Sequence, residues 1–327
     1  MILRTQLSLE LSDSKIRYSS NILSIGSCFS VSIGQKLANL KYSIVQNPAG
    51  ITFNPVSILS TIRACISGNS LPENKLFLHN GLWSHPDFHG SYNHPDKLTY
   101  TSNANSSLHV ASDQLKKVNF VFITIGTAYV FEDIETDTIV NNCHKRPASH
   151  FRRRLLNIEE IEKTLYSSIQ LIDEYSDQSV HYIITVSPVR HVRDGLQENL
   201  RSKSRLIEAV HKTVESHKNA SYFPSYEIMI DDLRDYRFYK PDMIHPSDLA
   251  VDYIYEKFSD MWLDPTQSHL REAVSDIYKS LNHSPLFPDS EAHGKFKSAL
   301  SKKMENLQSQ HSHIDYTTEL QDLEKTI

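Results

Sequence analysis

Apolar positions along the chain fall into two alternating patterns. Short apolar runs, typical of buried strands, occupy 21–25, 43–45, 119–125, 182–186 and 222–230. Apolar residues at helical spacing cover the segments between them, at 31–40, 54–66, 108–117, 158–175, 199–217 and 247–258. Strands of about five residues that alternate with helices of about fifteen predict a parallel sheet covered by helices on both faces.

Two polar segments interrupt this alternation and a third follows it. Residues 68–107, rich in Asn, Ser, His and Pro, predict a surface excursion with a hairpin at Asn80-Gly81. Residues 132–156 predict a second, irregular insertion, in which Arg152 to Arg154 would form a solvated helix start. From residue 264 the chain is mostly polar with weak helical spacing. We therefore expect an α/β domain over 1–263 and a helical extension over 264–327 that packs on it.

Composition excludes several classes of protein. Of 327 residues, 39% are hydrophobic and 22% are charged, which is typical of a globular protein and not of a disordered one. The net charge of −5 leaves no basic footprint for nucleic acid, and no apolar run approaches the roughly 18 residues of a membrane span. Three scattered cysteines do not form a disulfide framework, and no secretory signal is visible, so a cytoplasmic protein is expected.

The ends of the predicted strands carry the chemistry. In open α/β sheets ligands bind outside the carboxyl ends of the strands. Only nine glycines occur in the chain, and three of them, Gly26, Gly50 and Gly126, fall at such ends. Gly26 is followed by Ser27, whose hydroxyl would lie at the start of a helix, where free N–H groups stabilise an anion. The loop after the last strand carries Asp242 and His245.

These three polar residues have the types that nucleophilic catalysis needs. Serine is a poor nucleophile unless a base takes its proton, and the base must be oriented. A spacing of three lets Asp242 bond one imidazole nitrogen of His245 while the other faces Ser27. Cys28 is the stronger nucleophile by type, but adjacent residues after a strand point in different directions. We expect Cys28 to be a small buried packing residue and Ser27 to face the histidine.

Several motifs in order resemble one known family. They are Gly26-Ser27-Cys28-Phe29-Ser30, Asn47 to Pro55, Ile125 to Tyr129, Asn142 to Lys145, Ser187 to Arg190, and Asp242-x-x-His245-Pro246. Over roughly residues 1–260 the chain resembles the GSCFA-domain family, whose motif usually ends in Ala where Ser30 stands. That family looks like a branch of the SGNH/GDSL hydrolase superfamily. The resemblance implies a flavodoxin-like three-layer α/β/α sandwich and a Ser-His-Asp hydrolase or acyltransferase.

The resemblance also implies residue roles. Ser27 matches the nucleophile of the superfamily's first block, and Asp242 and His245 match its last block. Gly50 matches the second-block glycine, whose N–H would join that of Ser27 in an oxyanion hole. The third block departs from the pattern, since Gly126-Thr127-Ala128 stands where Gly-x-Asn is common. Losing one oxyanion donor costs on the order of 10²–10³ in rate. The candidates to replace it are Thr127, His144 and, preferred for its amide, Asn142.

Two further groups of residues carry alternatives. His85, Asp87, His89 and His94 have metal-ligand types, but Pro86 interrupts helical spacing, so neither a metal nor another cofactor is expected. His89 would instead contact substrate above Ser27. Arg190 could clamp a carboxylate or phosphate, or pair with a surface acid.

The sequence therefore predicts a serine esterase or acyl hydrolase. Its substrate would be an O-acylated small molecule or glycan. An O-acyltransferase with the same triad, or a binding module that has lost catalysis with Ala128, are the alternatives.

Overall fold

The computed structural model describes residues 5–68 and 71–324. Positions 69–70 of the predicted excursion and 325–327 of the predicted extension lie outside the described residues, as do 1–4. The strands are β1 (Asn21–Gly26), β2 (Ser43–Gln46), β3 (Phe77–His79), β4 (Leu82–Ser84), β5 (Phe120–Ile125), β6 (Tyr129–Asp133), β7 (Thr138–Val140), β8 (Phe151–Leu155), β9 (His181–Val186) and β10 (Ala220–Tyr222). The helices are α1 (Cys28–Asn39), α2 (Pro55–Ser67), α3 (Lys97–Lys116), α4 (Ile158–Tyr175), α5 (Leu196–Ser216), α6 (Ser225–Glu227), α7 (Asp248–Trp262), α8 (Ser268–Leu281), α9 (Glu291–Gln310) and α10 (Thr317–Glu324).

A five-stranded parallel sheet in the order β10-β9-β5-β1-β2 forms the centre of the fold. In this order the chain places its second strand at one edge and then crosses over β1 to β5, which is the flavodoxin-like arrangement. The α/β sandwich is therefore confirmed. The direction of winding reverses between β1 and β5, where Gly26 pairs with Thr124. Such a reversal leaves a crevice at the carboxyl ends of the two strands.

Alternate residues of each central strand enter two separate hydrophobic clusters. Leu23, Ile25, Val121 and Ile123 face the first cluster, which α2, α3, α4 and α5 complete. Ile22 and Phe122 face the second cluster, which α1, α7 and the C-terminal helices complete. This period of two follows from the pleat of the strand, and burial on both faces explains the continuous apolar runs in the sequence. The protein has three layers with the sheet in the middle.

The predicted excursion is shorter and more regular than expected. The hairpin at Asn80-Gly81 is confirmed, because β3 and β4 pair antiparallel and both turn residues have positive φ. The third helix begins at Lys97, where the Asp96 side chain accepts the Thr99 N–H, so residues 97–107 of the predicted excursion are helical.

The prediction of an irregular insertion at 132–156 is wrong. The segment contains β7 and β8, two strands of a small antiparallel sheet in the order β7-β6-β8. Arg152 and Arg154 lie on β8 rather than at a helix start, and both pair with Glu132 of β6. These cross-strand ion pairs join residues about twenty positions apart, and a local sequence pattern does not reveal them.

The last predicted strand is also wrong in extent. β10 ends at Tyr222, and Pro224 then precedes α6 and a π-helical turn over Ile228–Leu233. Ile228 and Met229 are buried in the second cluster from this turn, so their apolar character reflects a helical face.

The C-terminal extension completes the second helical layer. Leu300 and Met304 of α9, with Ile314 and Tyr316 before α10, are buried in the second cluster. Lys41, just after α1, forms an ion pair with Glu319 and lies over the Tyr316 ring at 4.8 Å. The extension thus packs on the α/β body through both apolar and charged contacts.

Candidate active site

The end of β1 and the start of α1 place Ser27 and Cys28 at the central crevice. Ser27 is the N-cap of α1, where its hydroxyl accepts the Phe29 N–H at 3.4 Å. It is 1% exposed, and no hydrogen bond within the described residues joins it to His245. Cys28, the first helical residue, is half-buried. The structure therefore reverses the prediction, which had Cys28 buried and Ser27 facing the histidine. Ser27 is the more buried of the two, because the side chain of a capping residue turns back onto its own helix.

A tight loop before α7 carries Asp242 and His245. Asp242 Oδ1 accepts the N–H groups of Ile244 and His245 at 2.8 and 3.0 Å, and its Oδ2 bonds His245 Nδ1 at 2.7 Å. These two N–H groups, with the imidazole, lower the pKa of Asp242 to about 2. The carboxylate therefore stays ionised near neutral pH and fixes a proton on Nδ1, which leaves Nε2 as the acceptor.

One cavity connects this loop with the first turn of α1. Its volume is about 420 Å³, and its lining includes Cys28, Phe29, Val189 and His245. Ser27 does not line it. A larger cavity of about 950 Å³ lies between the N-terminal segment and the 227–238 region, and it contains none of the predicted site residues.

The thiol of Cys28 lies in an environment with opposing effects. Burial raises the pKa of Cys28, while the N–H groups of Cys28 and Phe29 and the charge of Lys203 lower it. The thiol is thus protonated at rest, although groups that favour its thiolate surround it. A base would be needed to remove its proton.

The two backbone donors predicted for the oxyanion hole are engaged within the fold. The Ser27 N–H donates to the Thr124 carbonyl at 3.0 Å, which extends the β1–β5 ladder. The Gly50 N–H donates to the Asn47 carbonyl at 2.7 Å in a turn where Gly50 has φ +76°. In this conformation neither donor is open to a ligand.

The third block is tied to α5 rather than to the cavity. Ser202 Oγ accepts the Ala128 N–H at 2.8 Å and lies 3.2 Å from the Thr127 hydroxyl. Ala128 is fully buried. The missing asparagine is therefore replaced by a packing residue, and the Thr127 hydroxyl is already bonded.

Asn142, His144 and His89 form a second polar cluster on the surface loops. Asn142 Oδ1 accepts the His144 N–H at 2.8 Å, and His144 Nε2 bonds the His85 carbonyl at 2.8 Å. His89 packs against Gly50. None of their hydrogen bonds within the described ranges reaches Ser27, Cys28 or His245. The structure groups these three residues with one another and not with the bonded pair Asp242 and His245, which we call the dyad.

Arg190 lies against the loop that holds the dyad. Its Nη1 donates to the Met243 carbonyl at 3.3 Å, and its backbone N–H donates to the Ile244 carbonyl at 3.2 Å. Its guanidinium also lies over the rings of Tyr236 and Tyr239, so Arg190 supports the loop through both side-chain and backbone contacts.

The family model of the GSCFA family matches residues 21–258. The chain belongs to the GSCFA family. A second model, described as the C-terminal domain of GSCFA domain proteins, matches residues 274–327. Among curated proteins none matches the chain.

Two residues of this GSCFA protein complete the crevice and were missed in the sequence. His191 Nε2 and Ser27 Cβ lie 3.1 and 3.4 Å from the point where a Cβ on Gly126 would stand, so both converge on that glycine. Lys203 of α5 is 1% exposed, and its Nζ donates to the carbonyls of Gly126 and Ser187 at 2.7 and 2.6 Å. The signal was the polar trio Asn199, Ser202 and Lys203 at the i, i+3, i+4 spacing of one helix face.

The described part of this GSCFA protein contains no group of three or more His, Cys, Asp or Glu side chains placed to hold a metal ion. His85, His89 and His94 each use Nδ1 in a local turn with a backbone or hydroxyl group two residues away. None of the helices within 5–68 and 71–324 is both long and apolar enough to span a bilayer.

Proposed function

We propose that the protein is an acyl-transfer enzyme of the SGNH/GDSL type, which hydrolyses an ester or moves its acyl group to another hydroxyl. The observation that carries the proposal is the 2.7 Å bond between His245 and Asp242 beside a cavity that reaches the first turn of α1. An imidazole oriented by a carboxylate is a general base, and a helix N-terminus stabilises an anion. The flavodoxin-like strand order, with the dyad near the end of the α/β domain, further supports this type.

Within this proposal the geometry favours Cys28 over Ser27 as the nucleophile. Cys28 shares the cavity with His245, whereas Ser27 is buried and caps α1. A thiolate is also the better nucleophile of the two. The predicted serine mechanism keeps the same base and the same helix, so the two versions differ only in the attacking atom.

The reaction would proceed through an acyl-enzyme. His245 Nε2 takes the Cys28 proton as the sulfur forms a bond to the ester carbonyl carbon, and the carbonyl electrons move to the oxygen. The carbon–oxygen bond to the alcohol then breaks, and the imidazolium returns the proton to the leaving alcohol. Water, or a second hydroxyl, attacks the thioester as His245 takes its proton, and the thiol leaves reprotonated. The start of α1, where the N–H groups of Cys28 and Phe29 lie beside the sulfur, would stabilise the negative charge.

The cavity fits a modest ester. Phe29 and Val189 supply apolar walls for an acyl group, and the rim carries charged residues from α1, α7 and the dyad loop. A volume of about 420 Å³ is in the usual range for small-molecule sites. A small-molecule or glycan ester is the substrate class that we propose.

Turnover of p-nitrophenyl acetate by single variants tests the proposal. We expect Cys28→Ala and His245→Ala to lower kcat/KM by about a hundredfold or more, since each removes a reacting group. Ser27→Ala should keep kcat/KM within about tenfold and lower the free energy of unfolding by about 1 kcal/mol, because α1 loses its cap. Cys143→Ala, which removes another half-buried thiol, is the matched control and should turn over like the wild type.

Labelling separates the alternatives. Intact mass after iodoacetamide treatment should show Cys28 modified together with loss of turnover. If a fluorophosphonate labels the protein and Ser27→Ala alone abolishes labelling and turnover, the serine version is correct. If the wild type turns over no ester and neither probe reacts at 27 or 28, the protein is a binding module.

A further inference from the structure

Lys203 is a buried cation with no carboxylate partner among the described residues. Within residues 5–68 and 71–324 its Nζ donates to the carbonyls of Gly126 and Ser187 and to no other group. Burial of an ammonium group is costly, and buried lysines are usually paired. The other charges at the cavity are neutralised, because Lys36 pairs with Asp252 and Lys240 pairs with Asp248 at 3.1 Å. Lys203 therefore supplies the unbalanced positive charge beneath the site.

The two carbonyls place this charge at a specific point of the sheet. Gly126 follows β5 and Ser187 follows β9, so the ammonium joins the carboxyl ends of adjacent strands. A Cβ on Gly126 would stand 3.4 Å from Ser27 Cβ, so the two residues are neighbours at the switch point beside β1. Cys28 is the next residue along the chain. Each of Lys203 and Cys28 shifts the pKa of the other in the direction expected for opposite charges.

We infer that Lys203 is a positioning residue for the proposed nucleophile: its buried ammonium holds the ends of β5 and β9 together and stabilises the Cys28 thiolate as it forms. The inference rests on the proposed function, in which Cys28 attacks the ester. Two carbonyl dipoles hold the ammonium in place and leave its positive charge uncancelled. A carboxylate partner would neutralise that charge. A fixed positive charge in a medium of low polarity acts strongly on a neighbouring sulfur.

Burial itself sets the pH range of this effect. It lowers the pKa of Lys203 to about 7, and a Cys28 thiolate raises it again. Lys203 faces Tyr226, whose ring centre lies 5.8 Å from Nζ. Cys28 faces His245 and the two ion pairs of the cavity rim. The stabilisation is present while Lys203 is protonated and fades as the pH rises above 7.

Alkylation of Cys28 by iodoacetamide measures thiolate formation without any ester turnover. The reaction forms a sulfur–carbon bond and releases iodide, so its rate follows the thiolate fraction. We expect Lys203→Met to slow Cys28 alkylation at pH 7 by about tenfold, since an opposite charge nearby shifts a pKa by a unit or more. Lys203→Arg keeps the charge and should stay close to the wild-type profile. Cys143, followed in the same samples by peptide mass, should react equally in all three proteins.

A second measurement covers the case in which Lys203→Met does not fold. Coupling between two sites is reciprocal. In a Cys28→Ser variant the ¹³Cε resonance of Lys203 should therefore titrate at a lower pH than in the wild type. An unchanged titration, or a folded Lys203→Met variant that alkylates like the wild type, overturns the inference. Lys203-dependent alkylation without ester turnover would support the inference and contradict the proposed function.

Discussion

The guanidinium of Arg190 lies 4.1 Å from the centre of the Tyr239 ring, beneath the loop that carries Asp242 and His245. The same group donates to the carbonyl of Met243, a non-glycine residue held at φ +56°. Stacking and hydrogen bonding together fix a strained loop between the two dyad residues. The arginine for which the sequence suggested a substrate contact or a surface ion pair thus contacts the loop of His245, the base of the proposed mechanism.

Arg190→Ala should therefore lower kcat for p-nitrophenyl acetate by about tenfold with little change in KM, because small displacements of a catalytic group reduce rate. Arg190→Lys should recover only part of the rate, since lysine cannot both stack and bond in this way. Steady-state kinetics with a neutral and an anionic ester separate the two roles. A variant that turns over the neutral ester normally but binds the anionic one poorly would make Arg190 a substrate contact.

Asp242→Asn should lower kcat/KM by up to about 10⁴, because loss of the tautomer-fixing carboxylate costs about that factor in a Ser-His-Asp triad. The low pKa of Asp242 sets the form of the pH profile. A depressed carboxyl pKa means that the charge is present above about pH 2 and lost only as the pH falls through that value. Between pH 4 and 9 the rate should therefore drop by a similar factor at every pH. A variant profile that merely moves along the pH axis would contradict this role.

Acid should destabilise the protein through His85. Its ring is 1% exposed, and burial lowers the pKa of His85 to about 3. Below the unfolded value of about 6.5 the unfolded chain binds the extra proton, so this contribution to stability is complete above pH 6.5 and is lost as the pH falls towards 3. Between pH 7 and 5 we expect a loss of about 2 kcal/mol in the free energy of unfolding.

Urea titrations at several pH values test this expectation. His85→Asn, which keeps an acceptor for the Asp87 N–H, should flatten the pH dependence. His109→Asn is the matched control, because the His109 side chain is 77% exposed. Equal slopes in all three proteins would show that His85 does not titrate on unfolding.

Two glycines should respond in opposite directions to the same substitution. A Cβ on Gly26 would overlap the Thr124 carbonyl, and the residue has φ +143°, so Gly26→Ala should cost about 3 kcal/mol or more. Gly294 lies inside α9 with open space around it, so Gly294→Ala should stabilise by about 0.5–1 kcal/mol. Thermal unfolding of both variants measures the difference. A Gly26→Ala protein as stable as the wild type would contradict the described strand end.

Local signals in the sequence predicted the central fold well. The fourth helix begins at Ile158 and ends at Tyr175 as predicted, since Asn157 and Glu160 form a complete capping box. The spacing of Asp242 and His245 likewise predicted their bond. Neither feature depends on distant parts of the chain.

Features that depend on distant partners were not predictable. A lysine on an amphipathic helix normally suggests an exposed position, and the carbonyls that hold the buried Lys203, those of Gly126 and Ser187, lie 77 and 16 positions away in the sequence. In the small sheet, Glu132 of β6 forms ion pairs with Arg152 and Arg154 of β8, about twenty positions later in the sequence. The exposure of Cys28 relative to Ser27 is decided by which residue caps α1, a matter of one position that strand and helix patterns do not resolve.

The joining of the C-terminal helices to α1 has a consequence for the order of folding. Ile16 bridges to Leu263, and Lys41 contacts Tyr316 and Glu319, so early residues of the second cluster need partners more than two hundred positions away. Contacts of such long sequence separation form late, because closing the intervening loops is entropically expensive. A ribosome would have to synthesise most of this chain before the helix that begins at Cys28 could be locked in place. The first cluster, whose helices lie within residues 55–216, can assemble earlier, and the crevice beside α1 is therefore among the last parts of the molecule to form.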